Sequence, residues 1–358
     1  MRINEEIRNK MRIPYALRRV PEASLVSLVP LPVTPYRGVI ALAEVEKVGK
    51  NTALELSNGR RCALHEGDTL AVVFGNRYAT MQFEGYARTN GARCDLLSMG
   101  GLCGLVESKH ASVGEPTKLR LLGAIADGNQ RQLCLEDYSL RPTSRTRKIP
   151  VMVVCGTSMD AGKTHTVMCA IMGLRRGGHR VAGIKLTGSA AGRDTWSMLD
   201  AGADVALDFV DGGYPSTYLC TPDELLNLHH LLLDEAVVQG AEWAVIEIAD
   251  GLLQPETAAL LQNPLFSSTV DDFLFAAGEP MSALAGVNLL RKWNLEPLAV
   301  SGVVSMSSLS IREAEEATNV RCLTAAQLQN GELAELQEAG TKFPPVSAQP
   351  ERWAVNGA

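Results

Sequence analysis

No stretch of this 358-residue chain approaches the roughly 20 consecutive apolar residues needed to cross a bilayer. The longest candidate, residues 96–106, is short and broken by Gly100, Gly101 and Gly104. The N-terminus lacks the apolar core of a secretory signal, because Asn4, Glu5, Glu6, Arg8 and Asn9 interrupt it. A basic excess is missing too: 34 Lys and Arg face 40 Asp and Glu, a formal net charge of −6. Nucleic-acid binders draw most of their affinity from phosphate neutralisation, so neither a nucleic-acid nor a membrane partner is expected. Basic residues cluster at the N-terminus (Arg2, Arg8, Lys10, Arg12, Arg18, Arg19) and at 141–148, and both clusters read as solvated surface. None of the eight cysteines has a C-x-x-C partner, and a chain this long needs no disulfide staples. Cys62 and His65 are spaced C-x-x-H, but no second such pair follows, so no zinc site is expected. There is no internal repeat and no low-complexity tract. These absences together predict a soluble, cytoplasmic protein with reduced thiols.

Hydrophobic residues make up 46% of the chain and charged residues 21%. Single cores rarely grow past about 250–300 residues, so two domains are expected. Residues 1–36 read as a lead-in: a short amphipathic helix, then an extended stretch spaced by Pro21, Pro30, Pro32 and Pro35. Residues 37–140 read as a β-rich domain, a small antiparallel barrel or sandwich, with strands near 38–46, 52–56, 61–64, 69–74 and 78–86. Asn58 and Gly59 tolerate the positive φ of a type I′ hairpin turn. Residues 139–148 are polar, basic and Pro-containing, as in a linker. From 149 to 330 the period changes. Apolar runs at 151–155, 180–186, 203–209, 243–248, 272–276 and 298–304 alternate with helical stretches, the pattern of parallel strands buried on both faces in a doubly wound α/β domain. Gly177 and Gly178 stop the helix that starts at Lys163. Thr221, Pro222 and Glu224 form an N-cap, an N1 proline and a capping-box partner. Residues 331–358 read as a C-terminal helix and tail.

One motif carries chemistry directly. Gly156, Thr157, Ser158, Met159, Asp160, Ala161, Gly162, Lys163 and Thr164 fit G-x-x-x-x-G-K-[ST], and His165 follows. Such a loop turns its backbone N–H groups inward around phosphate oxygens, and the glycines leave room for that path. The next helix points its positive end at the anion. Lys163 neutralises β/γ charge, and the Thr164 hydroxyl can ligate Mg²⁺. The context is the required one, a buried strand running into the loop and a helix leaving it. Mg²⁺ and a nucleoside triphosphate, ATP or GTP, are the expected cofactors.

Residues 151–305 resemble dethiobiotin synthetase and its relatives among P-loop proteins. The loop GTSMDAGKT is similar to that family's G-T-x-T-[DE]-V-G-K-T, with Asp160 on its acidic position. The segment Gly183-Ile-Lys185-Leu-Thr-Gly-Ser189 looks like its G-x-K-P-x-x-S, Arg193-Asp194-Thr195 matches its metal-binding aspartate, and Glu247 falls on its acidic strand end. Leu186 in place of proline, and Asp250 in the glycine-rich strand end, depart from the pattern. A second resemblance is to two-domain P-loop proteins associated with N-acetylation of D-glutamate: Asp208-Phe-Val-Asp-Gly-Gly213 is similar to their D-F-V-x-G-A, and residues 246–255 to their acidic strand end. The first resemblance implies ATP as nucleotide and a homodimer. It implies Lys163 and Lys185 beside the transferred phosphoryl group, and Thr164, Asp194 and Glu247 on Mg²⁺. Lys185 and Ser189 would bind substrate, and Asp208 is expected to join them in the substrate pocket. The expectation is an ATP-dependent kinase or ligase acting on a small polar metabolite. A nucleotide-driven switch and an N-acyltransferase are the alternatives.

Overall fold

The computed structural model describes residues 2–142 and 148–333. The middle of the expected linker and nearly all of the expected C-terminal helix and tail lie outside them. The first half contributes α1 (Glu5–Lys10) and nine strands: β1 (Ser27–Val29), β2 (Ile40–Lys47), β3 (Ala53–Glu55), β4 (Arg61–Ala63), β5 (Thr69–Phe74), β6 (Phe83–Tyr86), β7 (Arg93–Leu96), β8 (Leu102–Lys109) and β9 (Thr117–Ala126). The pairings β2–β5, β5–β8, β8–β7, β7–β9 and β9–β2 close on themselves, which makes a five-stranded barrel. All of these are antiparallel except β5–β8, which is parallel.

Alternation along the strands explains why this half reads as apolar on both faces. Ala41, Ala43, Leu70, Val72 and Phe74 fill the barrel. Ile40, Leu42, Ala71 and Val73 point the other way, into a core shared with the second half. The β3–β4 hairpin forms in the register Ala53↔Ala63, but its turn is not type I′. Only Gly59 has a positive φ (82°), while the Asn58 side chain accepts from the Arg60 N–H at 3.0 Å, an Asx interaction that does not need the left-handed region. Tyr78 is not in a strand; β6 begins only at Phe83.

The second half alternates strand and helix: β10 (Val151–Gly156), α2 (Lys163–Arg176), β11 (Val181–Lys185), α3 (Arg193–Asp200), β12 (Val205–Asp208), α4 (Pro222–Val238), β13 (Trp243–Glu247), α5 (Pro255–Leu261), α6 (Pro264–Ser267), β14 (Asp272–Ala276), α7 (Pro280–Lys292), β15 (Ala299–Ser301), α8 (Ser308–Thr318) and α9 (Ala325–Gln329). Six parallel strands run in the order β12-β11-β13-β10-β14-β15. Alternate residues feed cores on the two faces: Met152, Val154 and Val245 pack with α2, while Val153, Ile184 and Ile246 pack with α4 and α7. The fold is therefore a doubly wound α/β sheet joined to a barrel. The Thr221 capping box closes as the motif requires. β15 ends at Ser301, short of the expected strand end at 304, because Gly302 takes φ 91° and a 3₁₀ turn follows.

The N-terminal segment is neither plainly extended nor solvated. Tyr15, Ala16 and Leu17 form a buried 3₁₀ turn. The Tyr15 hydroxyl donates to Asp208 Oδ2 at 2.7 Å, and Arg18 donates to Asp208 Oδ1 at 2.7 Å and Asp211 Oδ2 at 2.6 Å. These bonds tie the start of the chain to the edge of the second sheet. Glu55 of β3 adds a second tie by accepting from the Gly192 N–H (2.9 Å) and from Trp196 Nε1 (3.0 Å) at the start of α3. The Gly-rich stretch before β8 supplies a third: Ser98 Oγ donates to the Ala190 carbonyl at 2.9 Å. A Cβ on Gly100 would lie 2.1 Å from that same oxygen, so only glycine permits the approach.

Candidate functional site

β10 lies between β13 and β14, where the chain order of the sheet reverses. Open α/β sheets bind ligands outside the carboxyl ends of strands at such a switch point, and the G-x-x-x-x-G-K-T loop leaves β10 there. The loop path depends on its glycines. A Cβ on Gly156 would sit 2.7 Å from the Ala276 carbonyl and 2.9 Å from Lys163 Cγ. Asp160 (φ 65°) and Gly162 (φ 96°) take the left-handed conformation that turns successive N–H groups to one side. Gly162 gives α2 no side-chain cap, which leaves its first-turn N–H groups for an anion. Gly251, after β13, packs on the loop so closely that a Cβ there would come within 2.1 Å of the Thr157 carbonyl.

Four of the expected side chains converge in front of this loop. Thr164 Oγ1 donates to Glu247 Oε1 at 3.0 Å and to Asp194 Oδ1 at 3.4 Å. Lys185 Nζ lies 2.5 Å from Glu247 Oε1 and 2.8 Å from Asp194 Oδ2. Strand register produces the pairing: Lys185 ends β11 directly opposite Glu247 on β13. Burial alone would lower the Lys185 pKa, but Asp194 and Glu247 outweigh it and raise it. Burial alone would raise Asp194, but Lys185 outweighs it and lowers it. Glu247 is 1% exposed, and its Oε2 is buried with no hydrogen-bond partner. Lys163 donates to the Ser158 carbonyl at 2.6 Å. Burial, and then the nearby Lys185, lower its pKa.

A cavity of about 490 Å³ opens here. Met159, Asp160, Gly162, Lys163, Thr164 and His165 line it from the loop and the start of α2, Lys185 and Glu247 from the ends of β11 and β13, Ser189 from the segment after β11, and Asp194 from the first turn of α3. Gly156, Thr157, Ser158 and Ala161 complete the loop. Asp208 is not brought to the cavity. It ends β12 opposite Lys185, is 1% exposed, and spends both oxygens on Tyr15 and Arg18. It is an anchor for the N-terminal segment rather than a pocket residue.

Several lining residues have no counterpart in the motif reading. Arg77 and Tyr78 reach the cavity from the first half of the chain. The only sequence signal is a buried strand run ending in Gly75, Asn76 and Arg77, and nothing in that pattern ties it to a loop so far along the chain. Asp250 also lines the cavity, at φ 61°. Burial raises its carboxyl pKa, and Lys163 and Lys185 offset part of the rise. Among the described residues, no helix is long and apolar enough to cross a membrane.

No family model matches the chain, and no curated protein matches it. Solved structures do. A crystal structure of the signal recognition particle 54 kDa protein from Aeropyrum pernix K1 in complex with GDP aligns at 14% identity and TM-score 0.37, covering 56% of this chain and 50% of that one. The signal recognition particle receptor FtsY from Elizabethkingia anophelis aligns at 13% identity and TM-score 0.32, covering 54% of this chain and 56% of that one. The chain thus spans about half the length of the structures it matches. Similarity at this level says nothing of what this chain binds; the α/β fold rests on its own strand order.

Proposed function

We propose that the chain binds a magnesium–nucleoside triphosphate in the loop at 156–165 and cleaves or transfers its terminal phosphoryl group. The supporting observation is the convergence of Thr164, Asp194, Glu247 and Lys185, with Thr164 and Lys185 each reaching both carboxylates at 2.5–3.4 Å, in front of a strand–loop–helix phosphate cradle. The donor set fits Mg²⁺: a hydroxyl and two carboxylates are hard oxygen ligands, and Mg²⁺ takes only one or two carboxylates beside phosphate and water. The unpartnered Glu247 Oε2 is a buried acceptor that such a cation would satisfy. Bound there, the metal would neutralise charge between the β- and γ-phosphates. The loop N–H groups orient the phosphates. Lys163 leaves the Ser158 carbonyl for a phosphate oxygen, and Lys185 supplies a second fixed positive charge held by two carboxylates. Both act by positioning and electrostatics, the main requirements of phosphoryl transfer.

Glu247→Gln keeps the shape and removes the charge. It is expected to raise the Mg²⁺ concentration for half-maximal nucleotide binding by at least about tenfold, the lower end of what even a supporting metal partner is worth. A titration of fluorescent nucleotide against Mg²⁺ reads this. Gly251→Ala forces a methyl onto the Thr157 carbonyl and is expected to weaken nucleotide binding by about 1–3 kcal/mol, the usual cost of overpacking. Unchanged affinity in the same titration would show that the loop is not held from behind by Gly251.

ATP is the nucleotide the resemblance to dethiobiotin synthetase suggests. A second reading, a kinase or ligase with a small polar acceptor, draws support from the polar side chains that line the cavity beyond the loop: Ser189, Asp250 and Tyr78. Phosphate release from Mg-ATP and Mg-GTP, with and without a panel of amino acids, diacids and diamines, separates the readings. Strong stimulation by one metabolite supports the acceptor enzyme. Slow release that no metabolite changes supports a nucleotide switch. Absence of binding to either nucleotide at millimolar concentration sinks the proposal.

A further inference from the structure

Arg77 lines the cavity, and its guanidinium carbon lies 6.0 Å from the Phe83 ring centroid. It follows β5 in the barrel half, and its backbone is fixed by paired hydrogen bonds with Gly85, at 2.8 and 3.0 Å. One guanidinium nitrogen donates to the Leu97 carbonyl. Its Nε is buried with no hydrogen-bond partner. No carboxylate among the described residues lies within ion-pairing distance of it. Lys185 is saturated by Asp194 and Glu247, and Lys163 is held by a loop carbonyl. Arg77 lines the same cavity as Lys163 and Thr164 but comes from the barrel half.

A half-buried guanidinium without a counter-charge is costly, and a fold retains one where a ligand supplies the anion. Burial lowers the Arg77 pKa to about 10, with Asp250 offsetting part of the fall, so the group stays charged at neutral pH. Its planar fork suits a bidentate oxyanion.

We propose that Arg77 is a ligand-binding residue that the barrel half contributes to the phosphate-loop cavity, where it grips an oxyanion: the terminal phosphate of the nucleotide or the carboxylate of a second ligand. This rests on the reading of the loop as a triphosphate site. It gives the barrel a role, since the second half alone would lack that charge.

The test uses full-length protein carrying Arg77→Met, which keeps the apolar stem, and Arg77→Lys, which keeps a point charge. Binding is measured for Mg-ATP and Mg-GTP, for the two diphosphates, and for succinate and malonate with and without nucleotide. Loss of one charge-assisted contact predicts about tenfold or greater weakening by Arg77→Met. A loss confined to the triphosphates places the terminal phosphate on Arg77. A loss confined to the dicarboxylates, with nucleotide affinities unchanged, places a carboxylate there. Arg77→Lys recovers part of either loss. The ligand-free melting temperature of Arg77→Met is expected to equal or exceed that of the wild type, because an unpaired buried charge is removed. Unchanged binding of every probe, with a lowered melting temperature, makes Arg77 a strut for the Leu97 carbonyl and overturns the proposal. If wild type and Lys163→Ala both bind no nucleotide, the loop reading fails instead, and the dicarboxylate measurement then decides Arg77 on its own.

Discussion

Lys163→Ala is expected to slow single-turnover cleavage of a bound nucleoside triphosphate by at least about 100-fold, roughly 3 kcal/mol or more of lost transition-state stabilisation. The side chain is 6% exposed and starts the helix that faces the cradle. Its ammonium has one partner, the Ser158 carbonyl, so it is free to move to a phosphate oxygen on which charge develops. The same variant should be no less stable than the wild type without ligand. The lysine pKa is lowered in the fold, chiefly by burial and then by Lys185. A lysine with a depressed folded pKa is a charge the fold disfavours. That cost is present at neutral pH and disappears above the ordinary lysine range, where the group is neutral folded or unfolded. Removing it should therefore raise the urea midpoint at neutral pH slightly, with the gain vanishing at high pH. Near-normal turnover would dissolve the proposed site. Lost turnover with a collapsed midpoint would mean that Lys163 is structural.

Much of this site was legible because it is local. The phosphate loop is a contiguous segment whose glycines, lysine and threonine each have a reason to be there, and a fully buried strand leads into it. Lys185 and Glu247 were also legible, since each ends an apolar run of the α/β half, and strand ends are where such folds gather ligands; Asp194, in the first turn of α3, was legible only through its match to the dethiobiotin synthetase pattern. Asp208 shows the limit of that rule. It ends β12 beside Lys185, and by position it should have joined the others. Its actual partners, Tyr15 and Arg18, lie more than 180 residues away in the chain, and no local pattern announces them. Distance along the chain hid Arg77 as well. In the barrel half, β5 was legible to the residue. β7, β8 and β9 were not, because glycines interrupt β8 and β9, and because Arg93, Asp95, Lys118 and Arg120 blur the alternation. Lys118 pairs with Asp95 across β7–β9 at 2.7 Å, a match that only the paired strands reveal.

The basic N-terminal cluster has the sequence pattern of solvated surface, and Arg18 is the residue that departs from it most. Arg18→Ala is expected to destabilise the protein by about 3–5 kcal/mol, the cost of breaking a buried ion pair from one side. Asp208 and Asp211 are 1% and 5% exposed, and both carboxylates face the Arg18 guanidinium at 2.7 and 2.6 Å. Without it they would sit beside each other with little compensation; Arg19 reaches Asp211 only at 3.6 Å. Already in the intact protein the Asp211 pKa is raised, first by burial and then by Asp208. A carboxyl whose folded pKa is raised favours the fold at low pH and opposes it as pH rises through that value. Loss of Arg18 must push it higher still. The deficit of the variant, measured by urea unfolding, should thus be largest at neutral pH and shrink as the solution is taken toward the carboxyl range. A deficit that does not change with pH would mean that the loss comes from stacking of the Arg18 guanidinium on Tyr15, where its central carbon lies 4.3 Å from the ring centroid. Since Asp208 ends the strand beside Lys185, the variant also tests whether the N-terminal anchor matters to the site. If it does, Arg18→Ala should weaken nucleotide binding under conditions where the protein is still fully folded.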